Sequence, residues 1–139
     1  MSAVEFLDSN VLIYAYDPVD PVKQETARAL VRGAPAQLCV SVQVLAEFSS
    51  ILLHKLSPKA LPAAVLGALQ DLSEIQVVPT DGGIVRRAVE AHATYGIHFY
   101  DGMIVAAAER AGCSRIWSED LNPGQSYFGI PVENPFAAS

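Results

Sequence analysis

Four carboxylates stand apart from the other acidic residues of this chain: Asp8, Glu47, Asp101 and Asp120. Asp8 follows the short apolar run Val4 to Leu7, and Asp120 follows Arg115 to Trp117. Both runs read as strands, so both acids fall at strand ends. Glu47 has Val44 and Ile51 as its i−3 and i+4 neighbours, and Asp101 has Ile104, Val105 and Ala108 at i+3, i+4 and i+7. On a helix, residues at that spacing share a face. An ionisable group on an apolar face is costly unless it is paired or bound to metal. Four carboxylates from four separate segments that meet at one point would suit Mg2+ or Mn2+. These are hard ions with oxygen ligands, and Mg2+ keeps several waters for chemistry.

Each acid also has a structural use when taken alone. Asp8 and Asp101 are good N-cap types. Glu47 could pair with a buried Arg, and Asp120 could make a turn with Leu121-Asn122-Pro123-Gly124. The joint pattern favours the site, because four independent caps or turns need not sit at consistent depths. Zinc is disfavoured: His54, His92 and His98 show no ligand spacing and read as surface or loop residues. Cys39 and Cys113 lack CxxC spacing and read as two buried free thiols in a reducing compartment.

The elements that must position these acids follow from periodicity. After the strand Val4 to Leu7, Val11 to Tyr16 reads as a brief helix. Asp20-Pro21 is a cap with proline at the first helical position, opening a helix to about Arg32 that Gly33-Ala34-Pro35 stops. Leu38 to Val40 is a candidate strand and Val42 to Lys55 a helix. Ser57-Pro58 repeats the cap-then-proline device and predicts a helix to about Leu72. Ile75 to Val78 is strand-like, Asp81 caps a helix to about Tyr95, and Asp101 to Ala111 is a helix ended by Gly112. Arg115 to Trp117 and Ile130 to Val132 complete the strands. Strands alternating with helices predict an α/β domain with a mainly parallel sheet. Sites in such sheets lie beyond the carboxyl ends of the strands, near a switch in strand order.

Composition bounds the function. The chain has 139 residues, 51% of them hydrophobic and 17% charged, which fits one domain with a well-buried core and excludes a disordered protein. No apolar stretch approaches the roughly 18 residues of a membrane span, and Met1 to Asp8 lacks the pattern of a signal peptide, so a cytoplasmic protein is expected. The net charge of −6 at first argues against nucleic acid. Four of those charges belong to the candidate cluster, and a divalent ion there would supply positive charge where phosphate binds.

Four segments, in this order and spacing, resemble the PIN-domain family, and within it the VapC-type toxins of toxin–antitoxin pairs. They are Phe6-Leu-Asp-Ser-Asn-Val-Leu-Ile-Tyr-Ala, Leu45-Ala-Glu-Phe, Tyr100-Asp-Gly-Met-Ile-Val-Ala-Ala-Ala and Ile116-Trp-Ser-Glu-Asp-Leu-Asn. Ile130-Pro-Val-Glu-Asn-Pro-Phe resembles the family's last strand and tail. The resemblance implies a single domain over residues 1–139, a PIN-like three-layer α/β/α fold with a mainly parallel central sheet. It implies that Asp8, Glu47, Asp101 and Asp120 form the acidic quartet holding Mg2+ or Mn2+, with Asp8 and Asp101 the foremost direct ligands. It also implies that Asn10 and Ser118 assist as polar residues. The opening motif has Asn10 where an Asp can stand, so Asn10 is a less direct ligand. Glu119 is left outside the site, because its side chain diverges from those of Ser118 and Asp120 in an extended segment.

The activity implied is metal-dependent endoribonucleolytic cleavage, in which a metal-activated water attacks a phosphodiester in line. The partners implied are RNA, a homodimer mate and an antitoxin that lays a segment over the site. Tyr14, Tyr16 and Phe48 read first as core residues and second as antitoxin contacts. Lys23, Arg28, Arg32, Lys55 and Lys59 are candidate phosphate contacts or solvated charges alike. Two other readings are a catalytically silent PIN-fold RNA- or protein-binding adaptor and a haloacid-dehalogenase-like phosphatase. The phosphatase needs a second Asp where Asn10 stands, and no convincing phosphate-binding Lys is present; a receiver-like module lacks its late-strand Lys.

Overall fold

A computed structural model describes residues 3–122 and 124–137. The chain runs β1 (Glu5–Leu7), α1 (Ser9–Tyr16), α2 (Pro21–Gly33), β2 (Leu38–Ser41), α3 (Val42–His54), α4 (Pro62–Asp71), β3 (Gln76–Val78), α5 (Gly82–Tyr95), α6 (Phe99–Arg110), β4 (Arg115–Trp117), β5 (Ser126–Tyr127) and β6 (Ile130–Glu133). The six strands form one sheet in the order β3-β2-β1-β4-β6-β5, parallel except for β5 against β6. The strands are three or four residues long in the parallel part, yet β2 is buried along its whole length. That is the signature of a sheet covered on both faces.

The strand order locates the site before any side chain is considered. The chain steps from β1 to β2 to β3 through α1, α2, α3 and α4, then crosses back through α5 and α6 to β4, on the other side of β1. Right-handed crossovers taken in opposite directions put the two sets of helices on opposite faces. The α/β/α sandwich follows. The reversal falls between neighbours β1 and β4, whose register pairs Phe6 with Ile116 and Leu7 with Trp117. A crevice opens at the carboxyl ends of two strands whose connections leave in opposite directions. Asp8 is the first residue past β1, and its N–H donates to the Trp117 carbonyl at 3.0 Å.

Several boundaries depart from the sequence reading. α1 begins at Ser9 rather than Val11, because the Asp8 side chain accepts from the Ser9 N–H and caps the helix two residues earlier. Ser57-Pro58 does not open a helix. The Ala60 N–H turns back to the Leu52 carbonyl, folding residues 55–61 against the end of α3, and α4 starts only at Leu61-Pro62. α6 starts at Phe99 with His98 as its N-cap, so Asp101 lies in the first turn and is not the cap. β5 was not expected; it is two residues long and too short to carry a pattern. Among the described residues no helix is long and apolar enough to cross a membrane.

α5 and α6 pack closely because small residues line their contact. Ala88 and Ala91 of α5 are fully buried against an α6 segment that includes Gly102 and Ala106 to Ala108. A Cβ on Gly102 would stand 2.6 Å from the Ala88 carbonyl oxygen, which is rigid backbone. Gly67 of α4, by contrast, faces open space. Gly102→Ala should therefore lower stability by about 1–3 kcal/mol through overpacking, although alanine is the better helix former. Gly67→Ala should raise stability by up to about 1 kcal/mol. Urea unfolding of the two variants beside the parent checks the pair of opposite signs.

Candidate active site

Asp8 is the centre of the site and is only 5% exposed. Its Oδ1 accepts from the Ser9 N–H at 2.7 Å and its Oδ2 from the Ser118 hydroxyl at 2.7 Å. The Asn10 amide also donates to Oδ2 at 3.3 Å. One aspartate thus caps α1 and faces the crevice. The two uses that the sequence left open for Asp8 are compatible.

Asn10 and Ser118 tie the two strand ends together. The Asn10 amide nitrogen lies 3.2 Å from an Asp120 carboxylate oxygen and 3.4 Å from the Ser118 hydroxyl. Its carbonyl oxygen accepts from the Glu119 N–H at 3.1 Å. The fully buried Ser118 hydroxyl also accepts from the N–H groups of Asp120 and Leu121. The turn after β4 is therefore made by Ser118, which leaves the Asp120 carboxylate exposed and free to face Asn10. Glu119 points the other way, as the extended backbone requires. It accepts from the Tyr14 hydroxyl at 2.9 Å and pairs with Lys23 of α2.

Glu47 reaches the same crevice from α3. It accepts from the Ser9 hydroxyl at 3.2 Å and from the Gln43 amide at 2.7 Å, and has no arginine partner among the described residues. The Gln43 amide also reaches the Tyr100 carbonyl, one residue before Asp101, and so links α3 to α6. Asp101 is half-buried, and its carboxylate has no hydrogen-bond donor among the described residues. Ser9, Gln43 and the Glu119–Lys23 pair were missed by the sequence reading. Gln43 stands at i−4 from Glu47, a spacing that could have found it. Nothing in their residue types distinguishes Ser9 or Lys23. Tyr16 and Phe48 pack edge to face at 5.4 Å between ring centres, with Phe48 fully buried, which is core packing.

The electrostatics are those of like charges gathered out of water. Burial pushes the Asp8 carboxyl up to about 6; the bonds from Ser118 and Ser9 oppose this, and the charges of Glu47 and Asp120 add to it. Asp101 is also raised, first by burial, with Asp120 and Glu47 adding and His98 opposing. The charges of Glu47 and Asp120 thus act on both Asp8 and Asp101. Among the described residues no three of them close to metal-ligand spacing; the Asn10 amide stands between Asp8 and Asp120. The donors are nonetheless all oxygen, without Cys or His. The buried Asp8 charge has hydrogen bonds but no cation. That donor set fits a hard divalent ion.

The raised Asp8 value fixes the sign of a pH effect in the metal-free protein. A carboxyl raised from 3.8 to about 6 by folding contributes no penalty below about pH 4, where it is protonated in both states. As pH rises through about 6 the folded state loses up to about 3 kcal/mol relative to its acid value. Asp8→Asn keeps one oxygen for the Ser9 cap and cannot ionise. In chelator, the variant should gain on the parent between pH 4 and 7. Denaturant unfolding of both at each pH isolates the difference, since the other groups titrate in common.

Comparison with known proteins completes the description. The profile of the PIN domain matches residues 6–125. No curated protein matches the chain at a significant level. Among solved structures, the DNA-bound VapBC of Salmonella typhimurium superposes with a TM-score of 0.70 at 20% identity, covering 96% of this chain and 98% of that one. A toxin–antitoxin complex from Klebsiella pneumoniae gives 0.68 at 18%, covering 96% and 99%. VapC20 of Mycobacterium tuberculosis, described as a toxin that cleaves the sarcin-ricin loop, gives 0.67 at 18%, covering 85% and 91%. At these identities the structures speak for the fold, and the profile match, over most of the chain, speaks for descent: this chain belongs to the PIN domain family.

Proposed function

We propose that the chain is a divalent-metal-dependent endoribonuclease of the VapC toxin type, with Asp8, Glu47, Asp101 and Asp120 as its metal-holding and catalytic acids. The observation that carries this reading is the buried Asp8 carboxyl at the β1–β4 switch point, raised and without a Lys or Arg partner among the described residues. Asn10 links it to Asp120, and the charges of Glu47 and Asp120 act on both Asp8 and Asp101. A PIN-fold adaptor without catalysis would have no reason to keep mutually repelling acids there. The phosphatase reading loses its ground, because Asn10 holds Asp8 and Asp120 apart where the second Asp would act.

Asp8 and Asp101 are the foremost ligands, one fixed by Ser118 and Ser9, the other open to the crevice. Glu47 and Asp120 complete the oxygen set or orient water. Mg2+ or Mn2+ held there supplies the acidification of water and the positive charge that phosphodiester hydrolysis requires. Asn10 keeps the β1 and β4 ends at a fixed spacing, and Ser118 holds the Asp8 carboxylate in one orientation.

Partners follow from the same reading. The solved neighbours from Salmonella typhimurium and Klebsiella pneumoniae are toxin–antitoxin assemblies, which supports an antitoxin partner here. Exposed apolar side chains on α4 (Leu66) and α5 (Val85, Val89) are available for a second copy or an antitoxin.

Purified protein should cleave single-stranded or looped RNA with Mg2+ or Mn2+, lose cleavage in EDTA and regain it when metal is restored. Asp8→Asn and Asp101→Asn should each reduce the rate about a hundredfold or more while retaining the parent's circular dichroism spectrum. Cleavage that persists in EDTA would sink the metal mechanism. Inertness toward every RNA would return the adaptor reading.

A further inference from the structure

Beside the acids a groove of about 520 Å³ runs between α1 and α3. Its two ends differ in charge. Glu47 and Asp120 stand at one end and Lys55 at the other, with the apolar side chains of Ile13, Ala46 and Ile51 lining the space between. Along α3, Glu47, Ser50, Ile51 and Lys55 follow at i, i+3, i+4 and i+8. They form one stripe, and its ends are about 12 Å apart by helical rise. Lys55 is exposed and makes no ion pair among the described residues. Lys23, the other lysine near the crevice, is already held by Glu119 and by the Tyr14 ring.

We propose that this groove is a nucleotide subsite for single-stranded RNA, in which Lys55 holds a phosphate flanking the scissile one and the Ile13–Ala46–Ile51 wall takes the intervening base or ribose. The inference rests on the nuclease reading, which places the scissile phosphate at the acidic end. The charge pattern selects the occupant. An anionic polymer needs positive charge at intervals along its path: a cation bound by the acids provides it at one end, and Lys55 at the other. An apolar wall between two phosphate positions is the pattern of single-strand grooves, where backbone charge and base packing alternate. A basic peptide laid along the same groove would meet an uncompensated lysine at its far end. Ser50, also on the stripe, offers a hydroxyl to sugar or phosphate.

Equilibrium binding of labelled single-stranded RNA tests this by fluorescence anisotropy. Ca2+ replaces Mg2+, under conditions in which gels show the RNA intact. Lys55 is an exposed side chain past the last turn of α3, so its substitution should leave the fold unchanged. Lys55→Gln should weaken binding about fivefold at low salt and reduce the slope of log K against log salt by about 0.7, the contribution of one single-strand phosphate contact. Lys55→Arg should keep the parent's slope. RNAs shortened stepwise from either end should show the Lys55→Gln loss vanishing once one particular flanking nucleotide is removed. Equal affinity and slope for parent and Lys55→Gln would overturn the subsite. If the parent still binds and cleaves in that case, the nuclease reading stands without it. If the parent neither binds nor cleaves RNA, the nuclease reading falls and the subsite with it.

Discussion

The structure depends on the burial of one charge. Asp8 is the first residue after a three-residue strand in the middle of the sheet, and its backbone is pinned to β4 by the bond to the Trp117 carbonyl. The carboxylate is almost wholly buried, so its charge must be satisfied locally. Ser9, Asn10 and Ser118 do so with donors, two of them within two residues of Asp8 and the third across the switch point. The carboxylate caps α1 and also engages Asn10 and Ser118, the residues that tie the two strand ends together and make the turn after β4. Donors lower the penalty without removing it, because burial outweighs them and the charges of Glu47 and Asp120 add to it. On the proposed reading a bound cation would complete such a site. Its binding energy would be partly the relief of repulsion already present in the fold.

The surrounding contacts are arranged to hold the acids and not to neutralise them. Lys23 is turned away from the acids: it engages Glu119, whose side chain leaves the β4 end on the side away from Asp120. That pair, with Tyr14, anchors the backbone between Ser118 and Asp120 from outside. On the other wall Gln43 bridges Glu47 and the Tyr100 carbonyl, so α3 and α6 are tied one residue from Asp101. Neutral amides and hydroxyls do the positioning. An arginine among these acids would be the stronger tether and would also occupy the place of the metal.

The sequence made most of this legible for a physical reason. Acids on apolar helix faces and just past apolar strands are expensive, and expensive placements are informative. Glu47 and Asp101 were legible from neighbours three, four and seven residues away, and Asp8 from its position after Val4 to Leu7. Strand order was less so: alternation implies a parallel sheet, but only three-dimensional packing puts β4 beside β1 and thereby brings Asp120 to Asp8. Helix boundaries failed where two devices competed. Ser57-Pro58 and Leu61-Pro62 both resemble helix starts, and the Ala60 to Leu52 hydrogen bond selects the second. Ser9 and Gln43 were silent because their types are common on any surface, and Lys23, read as a phosphate contact or a solvated charge, pairs instead with Glu119. Their roles exist only once the elements have met.

The acid balance of the chain and its reading as a nuclease are reconciled by where the charges sit. Three arginines are committed to acids and do not line the groove: Arg87 to Glu90 and Glu109, Arg110 to Asp81, and Arg115 to Glu5 and Glu133. The acids of the crevice repel phosphate, and on the proposed reading a bound cation would reverse this. In a basic nuclease affinity comes from the surface at large; on the proposed reading, affinity beside these acids would be conditional on the metal. RNA recognition would then rest on the few contacts the groove can make, where each base or phosphate out of place is felt. On that reading, an acidic chain of this kind would give up loose binding for dependence on a correctly loaded site.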